Sequence, residues 1–328
     1  MKKSEIVVLA GGNGYIGGTA AFALQEAGFV PVIIDNFSTS KKGALKGFEI
    51  LEAELTDFSK TKSVLKKVGP IAGIIHFAAK ALVPESFKIP GLYYTNNLVS
   101  TVNLAEVSVD LGIPVFLHSS SCAVYGVPKE VPIPETASLQ ASSPYGDTKI
   151  MAEILLDRYH QMEKLKVLHL RYFNPAGAWP KYFWGEAHDP ETHLIPNLIL
   201  SAIKNEPVSL FGDGYSTPDG SCIRDFIHVV DLAEAHVKAL QMLLAGKTMP
   251  PRLNIGRGEG SSVLQVIQTA EKVLGKKIQV RREPARAGDP PQLVADVTLM
   301  RKVLDWMPAK SLSNMIEDDW TWRSSTVK

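Results

Sequence analysis

The sequence predicts an α/β protein: a Rossmann-type, doubly wound parallel sheet with a smaller C-terminal α/β substrate domain. Three observations predict it. Short, unbroken apolar runs alternate with helix-period stretches through the first half of the chain, the pattern of strands buried on both faces. A glycine-rich turn follows the first of these runs directly. After about Phe173 the alternation gives way to a stretch rich in Pro, Gly and aromatic residues, where a domain junction is expected. The division is a dinucleotide-binding domain over 1–175 and a second domain over 176–328, with some chain returning to the first.

The elements follow in order. Ile6-Val7-Val8-Leu9-Ala10 is the first strand; the run stops at Gly11, too short for the apolar region of a signal peptide despite the preceding Lys2 and Lys3. A helix over 17–27 is closed by Gly28, a residue suited to the left-handed position after a helix end. Strands are expected over 30–34 and 71–77. The most apolar later stretch, 71–83, is interrupted by His76 and Lys80 and falls short of the roughly 20 residues that span a bilayer. A helix over 92–111 ends at Gly112 and Pro114, and a strand over 115–119 runs into Ser119-Ser120-Ser121. A helix over 145–162 and a strand over 167–171 complete the first domain. Residues 174–190 show no period. Ile195, Leu198, Ile199, Ala202 and Ile203, three and four apart, then mark a helix with Pro196 in its first turn. A strand and helix over 225–244, a strand over 252–255 and a helix over 262–274 follow.

Composition narrows the function. With 45% hydrophobic and 21% charged residues, the chain has the make-up of an ordinary soluble globular protein. Its 35 Lys and Arg against 34 Asp and Glu leave a formal charge of +1, far from the basic excess that nucleic acid binding requires. No nucleic acid or membrane partner is expected. Two cysteines, Cys122 and Cys222, are too few for a disulfide-stapled secreted fold or a zinc site and fit a reducing, cytoplasmic setting.

Two motifs carry chemistry. Gly11-Gly12-Asn13-Gly14-Tyr15-Ile16-Gly17 joins the first strand to the first helix, where glycines permit a tight turn and a pyrophosphate can sit on the helix N-terminus. Asp35, at the end of the second strand, can bind both ribose hydroxyls and repels a 2′-phosphate, so NAD is favoured over NADP. Tyr145 and Lys149 stand four apart, on one helix face, where the ammonium can lower the phenol's pKa. With a serine from the upstream run they form an alcohol-oxidising site: phenolate as base, serine on the substrate oxygen, nicotinamide as hydride acceptor. Cys122 has no histidine placed to activate it and reads as a small buried thiol. His188, Asp189, Glu191 and His193 cluster in sequence but read as loop polar residues; no metal is expected.

These motifs resemble the extended short-chain dehydrogenase/reductase family and, within it, the UDP-glucose 4-epimerases. The likeness runs from the glycine turn through Asp35-Asn36, His76-Phe77-Ala78-Ala79, Tyr94-Thr95-Asn96-Asn97, 119–126, 143–149, 170–175 and 185–196 to 219–229. The last two stretches are the most specific. The resemblance implies Ser121, Tyr145 and Lys149 as the catalytic trio. It implies an NAD site formed by Gly11, Gly14, Tyr15, Ile16, Gly17, Asp35, Asn36, Ser40, Glu54, Leu55, Phe77, Ala78, Ala79, Asn97, Ser119, Tyr145, Lys149 and Phe173. For the UDP-sugar it implies Ser121, Tyr145, Asn174, His193, Leu194, Phe211, Arg224, Arg286 and Asp289, the arginines on the diphosphate. Forked, permanently charged guanidinium groups suit that dianion; for both arginines, a surface ion pair with a neighbour such as Asp225 or Asp289 is the alternative.

The implied reaction interconverts UDP-galactose and UDP-glucose. C4 is oxidised by retained NAD, the 4-keto sugar turns while residues 176–328 hold UDP, and hydride returns to the opposite face. A homodimer seamed by the helices over 92–111 and 145–162 is implied by the same analogy. Three positions depart from the family pattern. Ala81 fills the slot of a lysine, Glu54 stands for an aspartate, and Leu293 falls where residue size separates hexose-restricted members from those accepting N-acetylated sugars. N-acetylhexosamine, pentose or uronate UDP-sugars therefore stay open as substrates. A sugar-nucleotide dehydratase or decarboxylase would need an acid beside Ser121, where Cys122 and Ala123 stand. A non-catalytic dinucleotide sensor would not need the intact trio.

Overall fold

The computed structural model describes residues 5–285 and 289–326. In chain order its strands are β1 (Ile6–Ala10), β2 (Val30–Asp35), β3 (Glu49–Glu52), β4 (Ile71–His76), β5 (Val115–Ser121), β6 (Lys166–Tyr172), β7 (Asn174–Ala176), β8 (Val208–Phe211), β9 (Ile223–His228), β10 (Arg252–Ile255), β11 (Gly260–Ser262), β12 (Val280–Glu283) and β13 (Gln292–Leu293). The helices are α1 (Tyr15–Glu26), α2 (Phe58–Leu65), α3 (Val83–Lys88), α4 (Pro90–Asp110), α5 (Pro144–Gln161), α6 (Leu194–Lys204), α7 (Val229–Leu244), α8 (Val263–Leu274), α9 (Thr298–Leu304) and α10 (Leu312–Thr326).

Seven strands form one sheet in the order β10-β6-β5-β4-β1-β2-β3. β1 pairs in parallel with both β2 and β4, so the strand order reverses there, and ligands of doubly wound folds bind outside the strand C-termini at such a point. The apolar runs make these strands because both faces are covered. Val8, Ile74, Leu104, Phe116 and Leu156 are fully buried in one core, each contributing about 1.5–3 kcal/mol through its burial. The chain divides by contacts into two units: 1–126, 138–171 and 233–253 form the first, and 127–137, 172–232 and 254–328 the second. The second has its own core, in which α6 and α8 bury Leu198, Ile199, Val266 and Ile267 with Met315 and Ile316 of α10.

The sequence reading finds the long buried strands and amphipathic helices to within a few residues. It passes over β3, a sheet-edge strand with a glutamate at each end, and α2, which Asp57 starts by accepting a hydrogen bond from the Lys60 N–H at 2.9 Å. Residues 174–190, expected to be irregular, hold β7, paired in parallel with β9, and a single 3₁₀ turn over Pro180–Tyr182. Among the described residues no helix is long and apolar enough to cross a membrane.

Candidate active site

The glycine turn joins β1 to α1, and its glycines do different things. A Cβ on Gly17 would lie 2.6 Å from the Gly11 carbonyl oxygen, and one on Gly11, whose φ is +76°, would lie 2.6 Å from the Ala78 backbone. These two let the turn close on itself and on the loop after β4. Gly14 has nothing nearer its missing Cβ than 3.4 Å, and it starts α1 with no side-chain cap and no acidic residue in the first turn. The N–H groups of that helix end, where Tyr15 and Ile16 are half-buried, suit a pyrophosphate. The buried Asn13 Oδ1 beside it has no hydrogen-bond partner within the protein.

Asp35, buried at the end of β2, accepts from the Asn13 N–H at 3.0 Å, the Phe37 N–H at 2.8 Å and Ser40 Oγ at 3.3 Å. A carboxylate has about four acceptor sites, so capacity for a ribose hydroxyl remains. Asn36 donates to Glu54 Oε2 at 2.7 Å, and Ser40 Oγ accepts from Asn13 Nδ2 at 2.9 Å. Three of the predicted cofactor residues act chiefly within the protein. Leu55 is buried in the core, Asn97 spends its amide on Lys80 backbone atoms and Thr148 Oγ1, and buried Phe173 donates its N–H to Ile255 O at 3.2 Å. Half-buried Phe77, Ala78 and Ala79 line the loop after β4, with Phe77 5.0 Å from the His236 ring.

Ser121, Tyr145 and Lys149 come together where β5 ends and α5 begins. Ser121 is the last residue of β5, and its Oγ accepts from the Ala123 N–H at 3.2 Å. Ser143 caps α5 by accepting from the Gly146 N–H at 3.2 Å, with Pro144 following as the first helical residue. Tyr145 and Lys149 thereby share a face, the ammonium 5.9 Å from the ring centroid, and Lys149 Nζ donates to Ser119 O at 2.7 Å. The lowering of the Tyr145 phenol expected from Lys149 is not found: burial pushes it up to about 12, against a lowering hydrogen bond with Ser121. Burial brings Lys149 down to about 8, with the Glu153 charge opposing.

In the second unit, Asn174 starts β7 and donates to Asp225 O at 3.0 Å. Arg224 donates through Nη1 to Ile223 O at 2.8 Å and through Nη2 to Asp289 Oδ1, so two predicted substrate residues are paired with each other. Asp225 is not Arg224's partner: buried and pushed up to about 6, it accepts N–H bonds from Arg257, Gly258 and Ala295. Leu194 opens α6 against the second core, and Phe211 ends β8 half-buried. Arg286 lies outside the described residues. Around the loop over 188–193, Glu186, which the sequence reading leaves out, joins His188, Glu191 and His193, one ligand atom of each lying within 4.8 Å of the others. The group is knit by its own bonds, His193 Nδ1 lying 2.9 Å from Glu186 Oε1 and 3.0 Å from Glu191 Oε1. Against the burial that depresses it, these carboxylates hold His193 up to about 10.

Residues 7–256 match the model of the NAD dependent epimerase/dehydratase family. The chain belongs to that family. Among curated members of the epimerase/dehydratase family, it is 40% identical over 323 residues to the UDP-glucose 4-epimerase of Rhizobium leguminosarum bv. trifolii, covering 98% of each chain. A crystal structure of UDP-glucose 4-epimerase from Brucella ovis in complex with NAD superposes with a TM-score of 0.92 at 38% identity, covering 97% of this chain and 98% of that one. The Bifidobacterium longum UDP-glucose 4-epimerase in complex with NAD+ and UDP matches with a TM-score of 0.91 at 32% identity over 98% of each chain.

Sequence reasoning missed Glu153 and Arg171, a buried ion pair behind the trio. The signal for Glu153 was its place four residues after Lys149; nothing local marks Arg171 as its partner.

Proposed function

We propose that this epimerase/dehydratase family member is an NAD-dependent UDP-glucose 4-epimerase that interconverts UDP-galactose and UDP-glucose. The meeting of Ser121, Tyr145 and Lys149 at the C-terminal end of β5, beside an uncapped glycine turn, is the observation that carries the reading. NAD, when bound, supplies a hydride acceptor that takes the C4 hydrogen and returns it to the other face of the sugar. Gly14 and the first N–H groups of α1 would hold its pyrophosphate, and Asp35 a ribose. Tyr145 takes the C4 hydroxyl proton and later gives it back, Ser121 hydrogen-bonds the C4 oxygen, and the Lys149 ammonium favours the phenolate. Asn174 and Arg224 would engage UDP, the guanidinium exchanging Asp289 for the diphosphate.

Size selection would fall to Leu293, which stands opposite Arg224 in the β13–β9 register. A homodimer joined through α4 and α5 is part of the reading; Leu92, Val99, Met151 and Ile154 leave an apolar face of these helices exposed. A cytoplasmic setting would keep Cys122 and Cys222, which form no disulfide, reduced.

The test is to incubate purified protein with UDP-galactose and no added cofactor, then identify the product by NMR. Conversion to UDP-glucose at unchanged mass supports the proposal. No conversion after NAD is supplied, or a product of lower mass, rejects it.

A further inference from the structure

Behind the trio lies a second set of buried polar groups. Tyr145, Lys149 and Glu153 are spaced four apart along one face of α5. Glu153 Oε1 accepts from Ser120 Oγ at 2.5 Å and Arg171 Nε at 2.8 Å, and its Oε2 from Arg171 Nη2 at 2.5 Å. Arg171, fully buried, also donates to the Tyr125 hydroxyl at 3.0 Å, in the 3₁₀ turn that follows Ser121. The three serines ending β5 thus divide their work. Ser119 gives its carbonyl to Lys149, Ser121 faces Tyr145, and Ser120 is held by Glu153.

We infer that Glu153, with Arg171 as its counter-ion, is a positioning residue for the epimerase reaction: by clamping Ser120 it fixes the strand end carrying both the Lys149 anchor and Ser121. The inference rests on the reading of Ser121, Tyr145 and Lys149 as the reacting groups. Its electrostatics point the same way. The charged and titratable groups around Lys149 include Tyr145 and Glu153 on α5, His118 on β5 and His76 on β4; beyond Glu153 stand Arg171 and His169 on β6 and Arg252 on β10, whose Nε is 3.9 Å from Glu153 Oε2. Burial, reinforced by the Lys149 charge, lowers His76 to about 3 and His118 well below its ordinary value, so both are neutral. Glu153 stays ionised because, although burial raises it, its bonds with Arg171 hold it below the usual carboxylate range. It is therefore the anion that opposes the desolvation of Lys149.

Two variants test this, read as kcat, KM, retained NAD and the pH profile. Ser120→Ala cuts the clamp but leaves the ion pair; kcat falls severalfold with KM and NAD content unchanged. Glu153→Gln keeps the shape and removes the charge. The ammonium is lost as pH rises through the lysine's pKa, so lowering that pKa moves the alkaline limb to lower pH, a loss of about tenfold at pH 8 relative to wild type. Glu153→Asp, which restores the charge, returns the limb toward the wild-type position. Unchanged kcat in Ser120→Ala together with an unmoved alkaline limb in Glu153→Gln overturns the inference. Should Glu153→Gln fail to fold, the kcat of Ser120→Ala decides alone. Tyr145→Phe separates the two levels: if it is inactive while these variants behave as wild type, only the positioning role falls; if it turns over normally, the trio reading falls with it.

Discussion

The polar groups of the two units are restrained by different means. In the first unit, Ser121, Tyr145 and Lys149 stand on the ends of one strand and one helix, and Ser121 and Lys149 are bonded to backbone atoms, the Ala123 N–H and the Ser119 carbonyl. In the second, the candidate ligand groups are mostly charged and bonded to each other: Arg224 to Asp289, His193 to Glu186 and Glu191. Moving a proton demands fixed geometry, which element ends provide. Holding a charged ligand there, as proposed, would demand that the protein's own ion pairs open, so binding would be an exchange of partners.

The contrast is broken or sharpened first at Tyr145. Tyr145→Phe should lower turnover by about 10³-fold with NAD retention unchanged, read by NMR conversion and by the NAD released on denaturation. At Arg224 the change should fall on binding. Arg224→Leu should weaken UDP about 10- to 100-fold by calorimetry, the loss of a charge-assisted hydrogen bond. Asp289→Asn should tighten UDP severalfold, because the guanidinium no longer has to leave a carboxylate; weaker binding would mean that Asp289 itself holds the nucleotide.

A third test is pH. His193 is raised to about 10 from 6.5, so its stabilisation is full below about 6.5 and is lost as pH rises through 10. Glu186 is lowered to about 2 from 4.5; although burial opposes it, bonds to His188 and His193 prevail, and its contribution is full above about 4.5 and lost as pH falls through 2. Urea unfolding should therefore separate wild type from His193→Gln most between about pH 4.5 and 6.5. The smallest effect is one in which the units should agree. Ser262→Ala, breaking the capping box of α8, and Asp57→Ala, uncapping α2, should each cost about 1 kcal/mol by urea titration.

The same contrast explains what could be read without a structure. β4 is legible because a strand buried on both faces is a continuous apolar run, and Tyr145 with Lys149 because one helix turn is a local spacing. α10 is not, because its buried face includes Asp319 and Arg323, four apart and 3.3 Å from each other, alongside Met315 and Ile316. The partnership of Arg224 with Asp289 spans 65 residues and that of Glu153 with Arg171 spans 18. No periodicity links them, and the sequence offers Asp225 and Asp289 only as possible neighbours of Arg224 and Arg286, with no pairing assigned. That Glu186 rather than Asp189 joins the group over 188–193 escaped because an irregular loop has no fixed side-chain direction to reason from.

The first unit is assembled from three stretches of chain, the last of them 233–253, and the edge strand β10 begins only at Arg252. A ribosome adding about 5–20 residues per second therefore spends roughly 4–16 seconds with β1 to β6 available and their outer edge uncovered. During that interval β6 presents unpaired N–H and C=O groups to any neighbouring nascent chain. The unit cannot finish folding before most of the polypeptide has emerged, and fragments ending before Arg252 should aggregate where the whole chain does not.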